Sequence, residues 1–217
     1  MSKKQTIENT IAFVKETLKN AEGGHDWFHI ERVYKNALLI SKQENVDIYI
    51  VQLAALLHDI ADSKFHNGDE HIGPEIAEKF LLKEKTSKDI IDHVIQIIKN
   101  ISYKGGNFKK SFHSKEFDVV QDADRLDAIG AVGIARCFNY GGFKNRAIYE
   151  PEIQPNLEMT KEDYKNSTAP SINHFYEKLL LLKDKMNTKT AKKIAEERHE
   201  FMKTFLEQFY GEWEGRL

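Results

Sequence analysis

The sequence has too few cysteines for an internal disulfide, because Cys137 is the only one in 217 residues. Long apolar runs are missing too: no uninterrupted stretch approaches the roughly 18 residues that a membrane-spanning helix requires. In Ile7–Val14, near the start, charge interrupts the apolar residues too early for a signal peptide. We therefore expect a cytoplasmic protein with no membrane partner, and we interpret Cys137 as a structural thiol rather than a nucleophile.

An excess of either charge is also absent, since 32 Lys and Arg stand against 34 Asp and Glu, a formal net charge of -2. Such a chain lacks the positive field that drives non-specific DNA binding through counterion release, so no duplex nucleic acid is expected as a partner. With 41% apolar and 30% charged residues the composition is typical of a soluble globular protein. We predict a single domain over residues 1–217.

Apolar residues recur at helical spacing along most of the chain, and no alternating strand pattern or internal repeat is evident. The predicted helices of the first half lie around Ile7–Leu18 and Ile30–Ile40, over Ile48–Ile60 with Asp47 as N-cap, around Ile76–Leu81 after the breakers Gly68 and Pro74, and over Thr86–Ile101. Those of the second half run from Phe117 towards Phe138, over Ile172–Met186 and over Thr190–Phe209. The fold class is therefore predicted to be an all-α bundle.

A long loop interrupts this helical pattern in the second half of the chain. Gly141 and Gly142 are predicted to end the helix before it, and Phe143–Ala169 has little periodicity. Three of the four prolines fall between residues 151 and 170. An ordered loop of this length usually has a function, such as covering a site.

Two strong metal ligands, His58 and Asp59, directly follow the apolar run Leu53–Leu57. Burying them costs free energy unless they are paired or bound to a metal. Near the end of a helix both side chains can turn towards one ion, to which they offer an imidazole nitrogen and a carboxylate oxygen. His29 lies one predicted helix upstream, and Asp124 lies on a predicted helix downstream.

The order His29, His58-Asp59, Asp124 resembles the HD-domain superfamily of metal-dependent phosphohydrolases, in which those four side chains hold one divalent cation inside a helical bundle. The likeness covers residues 25–127. It implies an HD-domain helical bundle as the core, followed by an additional C-terminal helical part over residues 160–217.

A closer likeness extends over nearly the whole chain, through Gln121–Ala131 and Asn173–Leu180. It is to the small bacterial HD hydrolases that resemble nucleotide pyrophosphohydrolases. What this likeness implies is cleavage of a ribo- or deoxyribonucleoside triphosphate into a monophosphate and pyrophosphate by metal-activated water.

The resemblance implies the metal ligands His29, His58, Asp59 and Asp124. His25 is the alternative to His29, because the two are spaced i,i+4 as in zinc-binding pairs; His29 is preferred, since the glutamate of an HExxH motif is absent. We expect one divalent ion, Mn²⁺, Mg²⁺, Co²⁺, Ni²⁺ or Fe²⁺, with Zn²⁺ less favoured. His66 and His71 suggest a second ion, but Asn100 stands where two-metal relatives carry a histidine.

Two carboxylates, Asp62 and Asp127, are the candidate catalytic residues. Asp62 follows Asp59 by three residues, so on a continuing helix it faces the same side and can orient the attacking water or accept its proton. Asp127 stands in the same relation to Asp124, and it is alternatively a contact to a ribose hydroxyl. The simpler reading of either residue is a solvated carboxylate at a helix end.

A triphosphate needs cations, which a near-neutral chain must concentrate locally. Arg32, at i,i+3 from His29, and Lys64 are the first candidates, with Arg125 and Lys178 as further ones. A solvated charge on a helix is the common alternative for each.

The metal ligands would not choose the leaving group. A nucleoside monophosphate, a cyclic dinucleotide and a guanosine alarmone therefore remain alternative substrates, and a non-catalytic nucleotide sensor remains an alternative function. Base and sugar preference and homo-oligomerisation also stay open.

Overall fold

The computed structural model describes residues 2–19, 21, 26–61, 71–101, 112–160 and 167–217. Within these ranges the regular elements are helices and no β-strand occurs, so the predicted all-α fold class is confirmed. The α-helices are α1 (Lys3–Thr17), α2 (Trp27–Ser41), α3 (Ile48–Leu57), α4 (Ile72–Lys83), α5 (Lys88–Ile101), α6 (Lys115–Asp127), α7 (Gly130–Phe143), α8 (Asn173–Glu177) and α9 (Lys189–Trp213). Among the described residues no helix combines the length and apolar character needed to cross a bilayer.

The chain divides into two compact units, Met1–Asp124 and Arg125–Leu217, and the division falls within α6. A single domain over the whole chain therefore stays a prediction. In the first unit, α3 is the central helix, because it packs against α1, α2 and α5. The side chains of Leu53 to Leu57 are fully buried, as the apolar run predicts.

Helix α3 begins where the sequence predicts and ends earlier. The Asp47 carboxylate accepts a hydrogen bond from the Tyr49 backbone N–H at 2.8 Å, which confirms Asp47 as the N-cap. The helix ends at Leu57, and His58 is its C-cap residue. The predicted continuation to Ile60 is therefore wrong, and His58 and Asp59 stand at the helix end.

In the second unit, α7 packs against α9. The fully buried ring of Phe175 lies close to two other phenylalanine rings: its centroid is 6.0 Å from that of Phe138 and 5.9 Å from that of Phe205. The Thr188 hydroxyl caps α9 by accepting a hydrogen bond from the Ala191 backbone N–H at 3.1 Å. This helix is longer than the predicted range Thr190–Phe209.

The prediction of one helix from Phe117 towards Phe138 is wrong, because the chain breaks between α6 and α7. Gly130 has a φ of 75°, a left-handed conformation that a continuous right-handed helix cannot contain and that glycine adopts without strain. A Cβ at this position would also stand 3.0 Å from Cγ of Arg198. The helical spacing of apolar residues continues across the break, so the periodicity of the sequence does not reveal where the helix ends.

The prediction of one helix over Ile172–Met186 is wrong as well. Helix α8 ends at Glu177, and Lys178 has φ -146° and ψ -56°, outside the helical region. Two short 3₁₀ turns, Leu179–Leu181 and Lys183–Lys185, follow. The part of Phe143–Ala169 that the structure describes contains no helix after Phe143.

Candidate metal centre

His29 lies in the first turn of α2, where an aspartate fixes the helix start. The Asp26 carboxylate accepts a hydrogen bond from the His29 backbone N–H at 3.0 Å. Only 2% of His29 is exposed. The cap therefore holds a buried imidazole at a defined place in the first unit.

His58 is oriented by its own helix. Its Nδ1 lies 2.9 Å from the Ala55 carbonyl oxygen, which can only accept a hydrogen bond. The proton of the neutral imidazole therefore belongs on Nδ1, and Nε2 carries the lone pair. This is the arrangement by which a backbone carbonyl commonly orients a metal-binding histidine.

The Nε2 atom of His58 is buried and has no hydrogen-bond partner among the residues that the structure describes. A buried acceptor without a partner is unfavourable unless another group meets its lone pair. One ligand atom from each of His29, His58 and Asp59 lies within 4.8 Å of the others. These three side chains can hold a metal ion.

Asp124, near the end of α6, faces the same two imidazoles. Its Oδ1 lies 3.6 Å from Nε2 of His29 and 3.9 Å from Nε2 of His58, both too long for hydrogen bonds. Ligand atoms bound at roughly 2.1 Å to one octahedral ion stand about 3–4 Å apart, so these separations fit a shared cation. The side-chain amide of Asn36 on α2 donates a hydrogen bond, 3.4 Å long, to the carbonyl oxygen of Ala123, the residue before Asp124.

The two carboxylates of the cluster are more exposed than the two imidazoles. The Asp124 side chain is 39% exposed and Asp59 is half-buried, whereas the side chains of His29 and His58 are 3% and 4% exposed. Two imidazoles and two carboxylates are a donor set that suits divalent ions of intermediate hardness.

The remaining predicted residues fall into two groups. Asp62, Lys64 and the alternative ligand His25 lie outside the described residues. Arg32 lies on α2, one turn from His29, and is half-buried. The structure thus brings the four predicted ligands together and places Arg32 on the helix that bears His29.

Asp127 has a different environment from Asp124. It is 2% exposed, and one of its carboxylate oxygens accepts a hydrogen bond from Nη1 of Arg136 at 2.6 Å. Arg198 donates to the Leu126 carbonyl and Arg125 to the Lys185 carbonyl. These contacts tie the end of α6 to other elements of the second unit. A catalytic role of Asp127 and a substrate-binding role of Arg125 stay predictions.

Lys178 is half-buried, directly after α8, and it lies close enough to His174 to affect its titration. Burial, together with the positive charges of Lys178 and Arg146, lowers the pKa of His174 to about 3. His174 is therefore neutral at physiological pH. No motif in the sequence marks Arg146, whose effect on His174 depends on its position in the fold.

Cys137 is half-buried, and this burial raises the pKa of its thiol to about 12. Its Sγ donates to the Ser171 carbonyl oxygen at 3.4 Å. A thiol that stays protonated is a poor nucleophile. Both observations support the interpretation of Cys137 as a structural residue.

Known proteins resemble this chain over most of its length. The family model of the HD domain matches residues 27–129, which include all four residues of the cluster. The Bacillus subtilis protein YpgQ is 39% identical over 209 residues, which cover 96% of this chain and 94% of YpgQ. The chain belongs to the HD superfamily.

Solved structures agree with this assignment. The crystal structure of an HD-superfamily hydrolase from Bacillus thuringiensis is 45% identical, with a TM-score of 0.79, and the match covers 98% of this HD protein and 99% of that chain. The crystal structure of YpgQ in complex with ADP is 37% identical, with a TM-score of 0.76, covering 98% and 97% of the two chains. The predicted superfamily is confirmed, and the chain is an HD-superfamily hydrolase.

Proposed function

We propose that this HD protein is a cytoplasmic, divalent-metal-dependent phosphohydrolase that cleaves ribo- or deoxyribonucleoside triphosphates into monophosphate and pyrophosphate. The observation that carries the proposal is that His29, His58 and Asp59 lie together, with Asp124 facing both imidazoles and Nε2 of His58 buried. Such a donor set, buried on the imidazole side and open beside Asp124, fits one divalent ion such as Mn²⁺.

The protein fixes the orientation of these metal-binding side chains. The Ala55 carbonyl keeps the His58 proton on Nδ1, and the Asp26 cap fixes the start of the helix that bears His29. The chemistry that a divalent ion supplies when bound is a lowered pKa of water and polarisation of the phosphoryl group. The exposed side of Asp124 is where the scissile phosphate would approach.

Asp62 keeps its place as the candidate to orient the attacking water or accept its proton, although α3 ends at Leu57, before this residue. Asp127 keeps its place as a second catalytic candidate or a ribose contact, although its ion pair with Arg136 favours a structural role. Arg32, Lys64, Arg125 and Lys178 are the proposed cations for the phosphate oxygens. Their positive charges would offset the charge of the triphosphate in a chain with a net charge near zero.

A nucleotide as the substrate is supported by the ADP complex of YpgQ. That relative covers nearly the whole length of this chain, so the likeness includes residues outside the HD match. A nucleoside diphosphate presents the phosphoanhydride group that the proposed cations and the metal centre suit.

The test is a product assay with the purified protein, Mn²⁺ and a panel of nucleoside and deoxynucleoside triphosphates. We expect one pyrophosphate for each monophosphate, no activity with a chelator and none with Asp59→Ala. Asp92→Ala, an exposed aspartate on α5, is the matched control and should retain activity. Orthophosphate in place of pyrophosphate would reject the proposed bond, while turnover of monophosphates or cyclic dinucleotides alone would identify a different substrate.

A nucleotide sensor without turnover is the second candidate, favoured by the fact that YpgQ forms a complex with ADP. Metal-dependent turnover by this chain would eliminate it. Binding of nucleotide with no turnover of any member of the panel would support it instead.

A further inference from the structure

A surface cavity lies in the first unit, at the start of α3. Its volume is about 720 Å³, within the roughly 300–1,000 Å³ that is typical of small-molecule sites. Side chains of α1, α2 and α3 line this space, which we call the α3 cavity; they include Lys3, Lys4, Ile7, Tyr34, Tyr49 and Gln52.

The α3 cavity and the metal centre lie at opposite ends of one helix. Helix α3 begins at Ile48, beside the cavity, and His58 is the residue that follows its last turn. Its ten residues span about 15 Å along the helix axis. A molecule in the α3 cavity is therefore separate from a phosphate at the metal centre.

The inner wall of the α3 cavity is apolar and aromatic. Ile7 and Tyr49 line it, and each is only 8% exposed. Tyr34 on α2 is half-buried and adds a second phenol ring to the lining. A wall of this kind favours a ligand with a flat aromatic part, which leaves water when it binds.

Two polar side chains on this wall are bonded to each other. The side-chain amide of Gln52 donates a hydrogen bond to the Tyr34 hydroxyl oxygen, and the two atoms are 2.8 Å apart. This bond uses neither the hydroxyl hydrogen of Tyr34 nor the amide oxygen of Gln52. The pair thus presents a donor and an acceptor side by side, which complements the edge of a nucleobase.

Two lysines of α1 supply positive charge at the same cavity. The ammonium of Lys3 lies 4.9 Å from the ring centroid of Tyr49, so a cation stands beside the aromatic wall. The ammonium of Lys4 is 3.9 Å from the Glu8 carboxylate, and the two side chains are 88% and 53% exposed. An ion pair that is so exposed is weak, and it leaves Lys4 able to bind a stronger anion.

The second carboxylate of the lining is already bonded. Asp47 accepts hydrogen bonds from the backbone N–H groups of Tyr49 and Ile50, at 2.8 and 3.4 Å, as the N-cap of α3. These bonds offset its repulsion of an anion. The lysines therefore determine which charge the α3 cavity attracts.

We propose that the α3 cavity is a nucleotide-binding site distinct from the metal centre, with the base at Tyr34 and Gln52 and the phosphates at Lys3 and Lys4. An inorganic anion would leave the aromatic wall in water, and an uncharged aromatic molecule would leave the ammonium groups without an anion. A nucleotide meets both requirements. This inference does not rest on the proposed hydrolysis, because binding here needs no metal ion.

Isothermal titration calorimetry of the full chain with ADP in EDTA tests the proposal. We expect ADP to bind without Mn²⁺, with a dissociation constant below about 1 mM. The double variant Lys3→Gln/Lys4→Gln should bind at least about 10-fold more weakly, because charge-assisted bonds to phosphate are lost. Lys79→Gln, an exposed lysine on α4, is the matched control and should leave the affinity unchanged.

The base has its own test. Tyr34→Phe keeps the ring and removes the hydroxyl group, so ADP should bind about 5-fold more weakly. Ribose 5-phosphate, which lacks a base, should bind to the unmodified chain at least about 10-fold more weakly than ADP. Circular dichroism and thermal unfolding establish that each variant is folded.

Crystals grown with 8-bromo-ADP and EDTA locate the ligand. The bromine should give an anomalous peak beside Tyr34 and Gln52. A peak only beside His29 and His58 overturns the proposal, and so does the absence of ADP binding in EDTA. Affinities that are equal in the unmodified chain and the Lys3→Gln/Lys4→Gln variant overturn it as well. Pyrophosphate release with Mn²⁺ is measured separately, so failure of the proposed hydrolysis is distinguishable from failure of this site.

Discussion

Asp124 and Asp127 are one helical turn apart on α6, yet their surroundings differ. Asp124 is 39% exposed and faces the Nε2 atoms of two imidazoles, whereas Asp127 is 2% exposed and bonds to Arg136. Equal spacing thus does not give equal roles. The atoms that meet a carboxylate decide whether it can bind a cation or is already neutralised.

The two units of the chain also differ in how a buried polar side chain is satisfied. In Met1–Asp124, the buried lone pair of His58 Nε2 lacks a hydrogen-bond partner within the described part of the chain. In Arg125–Leu217, the buried carboxylate of Asp127 is paired with a permanent cation. The first pattern is expected where a ligand binds, and the second where an ion pair maintains the fold.

The largest expected effect comes from Asp124→Asn, which removes one charge from the proposed ligand set and keeps the size of the side chain. Affinity for Mn²⁺ should fall at least about 100-fold, and turnover should fall with it, because the proposed ligand loses its anionic oxygen. Isothermal titration calorimetry and the product assay measure the two losses. The matched control is Asp89→Asn, an exposed aspartate of the same unit, and an unchanged Mn²⁺ affinity in Asp124→Asn would contradict the ligand assignment.

Asp127→Asn should act on stability instead. Loss of the carboxylate leaves Arg136 without its counter-charge, and we expect the free energy of unfolding to drop by about 2–4 kcal/mol, somewhat less than for a fully buried pair. The affinity for Mn²⁺ should stay near that of the unmodified chain. Urea unfolding measures the free energy of unfolding, and calorimetry measures the Mn²⁺ affinity. Preserved stability with lost turnover would instead favour the catalytic role predicted from spacing.

The half-buried His174 of the second unit predicts a pH effect on stability. The folded state holds the pKa of His174 at about 3, against an ordinary value of 6.5, so between these values the unfolded chain binds the extra proton. The stability contribution is therefore complete above pH 6.5 and is lost as the pH falls towards 3. Between pH 7 and pH 4 we expect a loss on the order of 3 kcal/mol.

His174→Gln supplies the comparison, since it removes this titration and leaves the other groups in place. Its unfolding free energy should depend less on pH than that of the unmodified chain, as measured by urea unfolding at several pH values. If the unfolding free energies of the variant and the unmodified chain had the same pH dependence, folding would not change the pKa of His174.

The smallest expected effect compares two helix caps, one in each unit. Asp26→Ala and Thr188→Ala each remove a side chain that accepts a backbone N–H, from His29 and Ala191 respectively, and each should cost about 1 kcal/mol. Only Asp26→Ala should also weaken Mn²⁺ binding, because its hydrogen bond holds the residue that bears an imidazole of the cluster. Equal Mn²⁺ affinity in the two variants would show that the α2 cap does not position His29.

Local patterns of the sequence predict much of the first unit. The apolar run Leu53–Leu57 predicts the buried helix, and Asp47 predicts its start; both features depend on residue type and short spacing. The convergence of the four ligand residues is instead what the resemblance to the HD superfamily implies. The superfamily follows from the same residues.

The features missed in the second unit depend on contacts or backbone geometry. The pairing of Asp127 with Arg136 spans the break at Gly130, and the apolar spacing runs through that break unchanged. At Lys178 the helix ends without glycine or proline. Which side of α7 is exposed also depends on how this helix packs against the rest of its unit, and periodicity does not decide this for a helix with apolar residues on both sides.

Anomalous diffraction from crystals grown with Mn²⁺ tests the central claim most directly. The account predicts one manganese peak per chain, about 2.0–2.3 Å from nitrogen or oxygen atoms of His29, His58, Asp59 and Asp124. Absence of a peak there at saturating Mn²⁺, or a peak bound by other residues, would contradict it.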